Sequence, residues 1–210
     1  MKLVFLGPPG AGKGTLSAIA SERLGIPHIS TGDLFRAAVK AETSLGLRVK
    51  DILASGGLVP DEVTIDIVRE RLAAPDTAKG WILDGFPRTV RQAEALQEFA
   101  PVERVVNFDV DDGLILARLT GRRVCRFCGK IYHAVSMPPV KEGICDVCGG
   151  EVYTRSDDRD EAIRNRLVQY RDQTAPLIDW YDGAHLLVTI DGSGTPEEVY
   201  GRFAAALLAH

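Results

Sequence analysis

The chain has no run approaching the ~20 consecutive apolar residues of a membrane span, no tandem repeat and no low-complexity tract. Its opening, Met1-Lys2 and four apolar residues before Gly7, is too short for the core of a secretion signal. Export and membrane insertion are not expected, and a cytosolic protein is. Basic charge is not in surplus: 25 Lys and Arg against 29 Asp and Glu give a net charge of −4, which argues against a nucleic-acid-coating protein. Aromatic residues make up 7 % of the chain and are not interleaved with the basic ones, so a base-stacking surface is missing as well. Cysteine is limited to four residues. In a reducing compartment these are thiols or metal ligands, not disulfides. The rest is ordinary for a soluble globule, 45 % hydrophobic and 26 % charged. Its 210 residues suit one large domain, or one domain with insertions.

Short apolar runs alternate with helical stretches. Lys2–Leu6 stops at glycine and proline, as a buried parallel strand does, and a helix from about Gly14 to Leu24 follows, ended by Gly25 at a left-handed cap. Further strands are expected at Pro27–Ile29, Trp81–Leu83, Val105–Val110 and Leu186–Ile190, with helices at Asp61–Leu72 and after Thr195-Pro196. Ser30 with Asp33, and Thr195 with Glu198, are spaced as capping boxes. The fold class is therefore α/β: a five-stranded parallel sheet with helices on both faces. Two segments interrupt it. Thr31–Val59 is a helical detour, and Gly121–Asp158 reads neither as helix nor as core strand.

The segment Gly7-Pro-Pro-Gly-Ala-Gly12-Lys13-Gly14-Thr15 sits where a strand hands over to a helix. Glycines let the backbone aim N–H groups at an anion, the helix N-terminus adds partial positive charge, and Lys13 adds a full one. Gly14 stands where a strict phosphate loop has Ser or Thr. Asp84, at the end of the Trp81 strand, lies on the sheet edge where open α/β folds take ligands and is placed to hold a water of a Mg²⁺ ion. Arg88 follows in the same loop. Eight of the 18 arginines fall within residues 118–166. Arg118 and Arg122, four apart, would share a helix face. If Arg155 and Arg166 converge with Arg36 and Arg88, the positive charge exceeds what one triphosphate needs, and a second phosphorylated substrate follows.

Cys125-x2-Cys128 and Cys145-x2-Cys148, each pair followed by glycine, form a strong zinc pattern. Four thiolates close a tetrahedral shell, so the metal is expected to be structural. Zinc is favoured over iron. His28, His133, His185 and His210 are not needed as ligands and are expected to be structural or exposed.

Together these motifs, with Ser30-Thr31-Gly32-Asp33, Gly57-Leu58-Val59-Pro60-Asp61, Asp84-Gly-Phe-Pro-Arg88-Thr89, Gly121-Arg122-Arg123, Asp157-Asp158 and Arg164-Asn165-Arg166, make the chain resemble adenylate kinases of the long type, whose lid bears a metal. Gly14 after the lysine is what that family shows. The resemblance covers the whole chain. It implies a core from residues 1–29, 60–120 and 159–210, an AMP-binding insertion at 30–59 and a zinc-binding lid at 121–158. By it, Gly10, Ala11, Gly12, Lys13, Gly14, Thr15, Arg118, Arg122, Ile131, Tyr132 and Gly194 would bind ATP. Thr31, Arg36, Gly57, Leu58, Val59, Gly85, Phe86, Pro87, Arg88, Gln92, Arg155 and Arg166 would bind AMP. Lys13, Asp84, Arg88, Arg122, Arg155 and Arg166 would carry catalysis with Mg²⁺. The implied reaction is ATP + AMP ⇌ 2 ADP, by a monomer with no nucleic-acid or membrane partner. Thr89 and Gln92 favour AMP over UMP, CMP or GMP; the more distant alternative is an ATP switch whose zinc knuckle grips another macromolecule.

Overall fold

A computed structural model describes residues Met1–Leu208. His210 lies outside the described residues. In chain order the main sheet and its first helices are β1 (Lys2–Leu6), α1 (Lys13–Leu24), β2 (His28–Ser30), α2 (Thr31–Lys40), α3 (Ser44–Ala54), α4 (Asp61–Leu72), β3 (Trp81–Asp84), α5 (Val90–Phe99), β4 (Arg104–Asp109) and α6 (Asp112–Gly121). There follow three short strands, β5 (Arg122–Cys125), β6 (Ile131–His133) and β7 (Val152–Tyr153), then α7 (Asp160–Gln169), α8 (Pro176–Gly183), β8 (Leu187–Asp191) and α9 (Pro196–Leu208).

Five strands form a wholly parallel sheet in the order β2-β3-β1-β4-β8. The central strand β1 is buried on both faces, as its unbroken apolar run requires. Leu3 and Phe5 pack with Leu16 and Ala20 of α1 and Val199 and Phe203 of α9 on one side. Val4 and Leu6 pack with Ile65, Val68, Ala93, Leu96, Leu177 and Tyr181, from α4, α5 and α8, on the other. The expected capping boxes are partly realised. Thr195 and Glu198 bond reciprocally at the start of α9, whereas at α2 Ser30 caps the Asp33 N–H but Asp33 turns its carboxylate to Arg36 instead.

Residues 31–59 form two helices crossing at very close range. A Cβ on Gly46 would fall 2.1 Å from the Ala38 carbonyl oxygen, so only glycine allows the crossing. Their small core is Phe35, Val49 and Val59. The stretch read as neither helix nor core strand carries a separate three-stranded antiparallel sheet, β6-β5-β7. Its strands are two to four residues long, too short for an alternating pattern to stand out. Among the described residues no helix is long and apolar enough to cross a membrane.

Candidate active site

The carboxyl ends of β1 and β3 meet at the loop between β1 and α1. Gly10 adopts φ +87°, and a Cβ there would strike Leu119 at 2.9 Å and the Ile115 carbonyl at 3.1 Å, so the loop hugs α6 only because this residue is glycine. Gly12, at φ 97°, starts α1. Lys13 Nζ donates to the carbonyls of Gly7 and Pro8 at 2.7 and 2.9 Å, holding its ammonium over the loop. Burial, opposed by Asp84 and reinforced by Arg88, Arg166 and Arg122, lowers the Lys13 pKa from 10.5 to about 8. Asp84 sits behind it, with His28 Nε2 3.6 Å from its carboxylate. Burial pushes Asp84 up, but His28, Lys13 and Arg88 together hold it below the usual carboxylate range.

Around this point the arginines converge. Arg166 is half-buried; burial, then Arg122 and Arg88 against the two aspartates Asp157 and Asp158, lower its pKa to about 10. Arg155 is likewise lowered to about 10 by burial, Arg36 and Arg122. Arg88 is lowered chiefly by burial, with Arg36 adding to the effect. All stay charged at neutral pH. The counter-charges are Asp158, whose side chain has no exposure and pairs with both Arg122 and Arg166, Asp157 against Arg166 at 3.3 Å, and Asp33 between Arg36 and Arg155 at 2.6 and 3.8 Å. Lys13, Arg36, Arg88, Arg122, Arg155 and Arg166 thus outnumber Asp33, Asp84, Asp157 and Asp158, a surplus of positive charge poised for oxyanions. Asp157 and Asp158 carried no assigned role in the sequence; acids inside an arginine run look like a solvated face until the fold buries them.

The residues expected to face ATP gather at the loop. Arg118 donates to Ala11 O at 3.2 Å and Gly192 O at 3.0 Å, tying the loop between β8 and α9 to the phosphate loop. Ile131 Cδ1 lies 3.5 Å from where a Cβ on Gly14 would sit, which brings the small sheet down onto the phosphate loop. Gly194 lies two residues further along the Gly192 loop, beside Glu198. One placement corrects the sequence reading, and two others show where side chains expected near the nucleotides lie. Arg118 and Arg122 do not share a helix face: α6 ends at Gly121, and Arg122 begins β5, with extended backbone turning its side chain to Asp158. The Tyr132 ring packs away from the phosphate loop. It is buried against the cysteines, where its hydroxyl donates to Cys145 Sγ at 3.3 Å. Phe86 is fully buried in the core and Pro87 is buried beside it, off the neighbouring pocket.

That pocket opens between α2, the end of α3 and α5. Thr31, Gly32, Gly57, Leu58, Val59, Gly85, Arg88 and Gln92 line it, with Phe35, Leu53 and Thr64. Thr31 Oγ1 donates to Gly85 O at 2.8 Å, closing the pocket floor. Gln92 is buried, and part of its amide is already bonded within the protein, to Asp61 and to the Arg88 N–H.

All four cysteine sulfurs lie within 4.8 Å of one another. Cys125–Cys148 and Cys128–Cys145 are 3.4 and 3.5 Å apart, close to the ~3.8 Å edge of a tetrahedron with zinc–thiolate bonds of about 2.3 Å. The Phe127 N–H donates to Cys125 Sγ. Burial alone would raise the Cys145 thiol, but hydrogen bonds from Tyr132 and the amides of Cys148 and Val147 bring it down to about 6. This donor set fits a metal that takes thiolates. Because a partner outside the ligand shell orients and tunes its ligand, Tyr132→Phe should weaken metal retention about tenfold, measured by chelator competition; unchanged retention would show the hydroxyl to be a bystander. Of the histidines, His133 braces the turn after β6 by accepting from the Val135 and Ser136 N–H groups, and His185 takes the positive-φ turn position before β8.

The adenylate kinase family model matches residues 5–185. The chain is 54 % identical over 203 residues to an adenylate kinase of Treponema denticola, covering 97 % of each. It is 55 % identical over 197 residues to one of Desulfitobacterium hafniense, covering 91 % of each, and 52 % identical over 212 residues to one of Carboxydothermus hydrogenoformans, covering 99 % of each.

Proposed function

The chain belongs to the adenylate kinase family, and from that premise we propose how its side chains perform reversible phosphoryl transfer from MgATP to AMP, giving two ADP. The enzyme is a phosphotransferase. ATP lies along Gly10–Thr15, with its triphosphate on the loop N–H groups and Lys13, and with Arg118, Ile131, the Tyr132 backbone and the Gly194 loop flanking it. AMP occupies the pocket lined by Thr31, Gly57–Val59, Gly85 and Gln92, its phosphate directed at Arg36, Arg88, Arg155 and Arg166. Asp84 is the residue that would hold, through water, the Mg²⁺ that accompanies ATP, an ion that would offset the negative charge of the phosphates. The cysteines take zinc.

The observation that carries this reading is the gathering of six half-buried cations that reach from Lys13 on the phosphate loop to Arg88 on the lining of the pocket, so that two anionic ligands are served and not one. The acceptor oxygen belongs to a phosphate already ionised at neutral pH, so no general base is needed. Lys13, Arg88, Arg122, Arg155 and Arg166 align the two phosphates and stabilise the charge on the equatorial oxygens in flight. Water has to be excluded, or ATP would be hydrolysed. Closure of residues 121–158 over the phosphate loop and of 30–59 over AMP serves that purpose. The reading also places the enzyme in the cytosol, as a monomer acting on free nucleotides.

The test is one mixture of ATP, AMP and Mg²⁺ followed for ADP, with UMP, CMP and GMP alongside. AMP should be preferred by at least about a hundredfold, the scale a hydrogen-bonding site achieves against a base it cannot pair. A different preferred monophosphate would reassign the substrate, and ATP turnover indifferent to any monophosphate would favour a nucleotide switch.

The Lys13 titration gives a second test. Between pH 8 and 10.5 the unfolded chain holds the Lys13 proton and the folded, unliganded chain has largely lost it, so this residue makes stability rise with pH across that window. Bound triphosphate restores the proton. At pH 8, calorimetry in buffers of different ionisation enthalpy should therefore show uptake of about half a proton per ATP, abolished in Lys13→Met. Binding with no proton uptake would refute the lowered pKa.

A further inference from the structure

Gln92 is 2 % exposed, and its amide is gripped at both ends. Nε2 donates to Asp61 Oδ1 at 2.7 Å, and Oε1 accepts from the Arg88 backbone N–H at 2.8 Å. Neither partner can reverse its role, since a carboxylate accepts and a backbone N–H donates. The other Asp61 oxygen accepts from Thr89 Oγ1 at 3.0 Å, and that hydroxyl in turn accepts the Gln92 N–H at 3.2 Å. Asp61, the first residue of α4, thus holds the N-cap and first turn of α5 with a single carboxylate. One amide N–H and one carbonyl lone pair of Gln92 remain, on a residue that lines the pocket.

A glutamine amide free to turn over offers donor and acceptor in either order. Adenine presents an amine donor beside a ring-nitrogen acceptor on its Watson–Crick edge, and a 6-oxopurine presents a carbonyl acceptor beside an N–H donor, the opposite order. A free amide serves both; a fixed one serves a single order. We propose that Asp61 is a specificity-determining residue of the acceptor site, which by locking the orientation of the Gln92 amide admits 6-aminopurine monophosphates and turns away 6-oxopurine ones. This rests on Gln92 facing the base of AMP. Asp61 touches no substrate and acts as a positioning residue.

The test compares kcat/KM for AMP and for IMP, with ATP as donor, in the full-length enzyme. Asp61→Ala should lower the AMP-to-IMP ratio by about tenfold, the Arg88 N–H preserving the remainder, while KM for ATP changes less than about twofold. Equal losses with AMP and IMP would overturn the lock and leave Asp61 a merely structural residue. Gln92→Ala separates the two levels. If it leaves the wild-type ratio intact, the base is not read by Gln92 and the acceptor-site assignment fails with the lock. If it abolishes the ratio while Asp61→Ala does not move it, the lock alone fails. Should Asp61→Ala melt too early to assay, Asp61→Asn carries the same comparison. Its side chain can donate as well as accept, so it too should lower the ratio, and an unchanged ratio there overturns the proposal.

Discussion

Replacing Arg88 by alanine is expected to lower kcat about a thousandfold or more while the protein stays folded. The half-buried guanidinium lies in the field of Asp84, Arg36 and Asp157, where a charge acts with less screening than in open water on whatever passes between the two phosphate sites. A thousandfold loss corresponds to about 4 kcal/mol of transition-state stabilisation. The side chain makes one structural bond, from Nε to Gly85 O at 2.8 Å. The bonds that hold this segment to its neighbours come from the main chain, the Arg88 N–H to Gln92 and the Arg88 carbonyl accepting from Thr174 Oγ1, and alanine keeps both. Arg88→Lys should recover only part of the rate, since an ammonium supplies the charge without the planar fork that binds two phosphate oxygens. A coupled ADP assay beside a thermal melt checks this. Near-normal turnover in Arg88→Ala, or a collapse of the melt that accounts for the loss, would remove Arg88 from the reaction.

The sheet and the phosphate loop are legible in the sequence because their physics is local. An apolar run stopped by Gly7-Pro8 is a strand in any surroundings, and Lys13 at a helix start beside Gly10 and Gly12 has few other uses. The gathering of arginines could be anticipated only as a condition, because it depends on where residues 155 and 166 return in space. Three features were out of reach for identifiable reasons. Arg122 leaves the helix one residue earlier than its i+4 spacing from Arg118 suggests; α6 stops at Gly121, whose missing Cβ leaves room for the His133 ring, 2.1 Å from where that Cβ would sit, a neighbour twelve residues later in the chain. Tyr132, next to Ile131, points the opposite way because successive strand residues alternate, so one faces the phosphate loop and the other the sulfurs. Asp61 resembles any acid in the first turn of a helix until the fold sets Gln92 against it.

Removing the metal from the four cysteines should melt residues 122–153 while the five-stranded sheet stays folded. The small sheet has almost no apolar interior of its own. Its buried cluster is Cys125, Tyr132 and Cys145, with Val152 packed against them, whereas Phe127, Val135, Val140 and Val147 stand in solvent. Without a metal, four sulfurs, two pairs of them 3.4–3.5 Å apart, must repel or take protons, and the turns at Gly129 and Gly149 lose the centre they wrap. Binding energy of a structural metal is folding energy for the segment that binds it. The core does not depend on it: the clusters on the two faces of the main sheet draw no residue from 122–153. Chelation should therefore lower the first melting transition by about 10 °C, several kcal/mol at about 2–4 °C each for a chain of this size. It should also split the melt in two. Hydrogen exchange read separately supplies the decisive comparison, with protection lost at Val124, Cys125 and Ile131 and retained at Val4, Leu83 and Val106. If elemental analysis shows the metal gone and the amides of β5 stay protected, the small sheet folds on its own hydrogen bonds, and the cysteines are not its staple. Kinetics should follow the same division. Arg122 opens the melted segment and Arg155 follows it, so the apo enzyme should lose turnover through loosened closure, whereas AMP affinity, read on α2, α3 and α5, changes little.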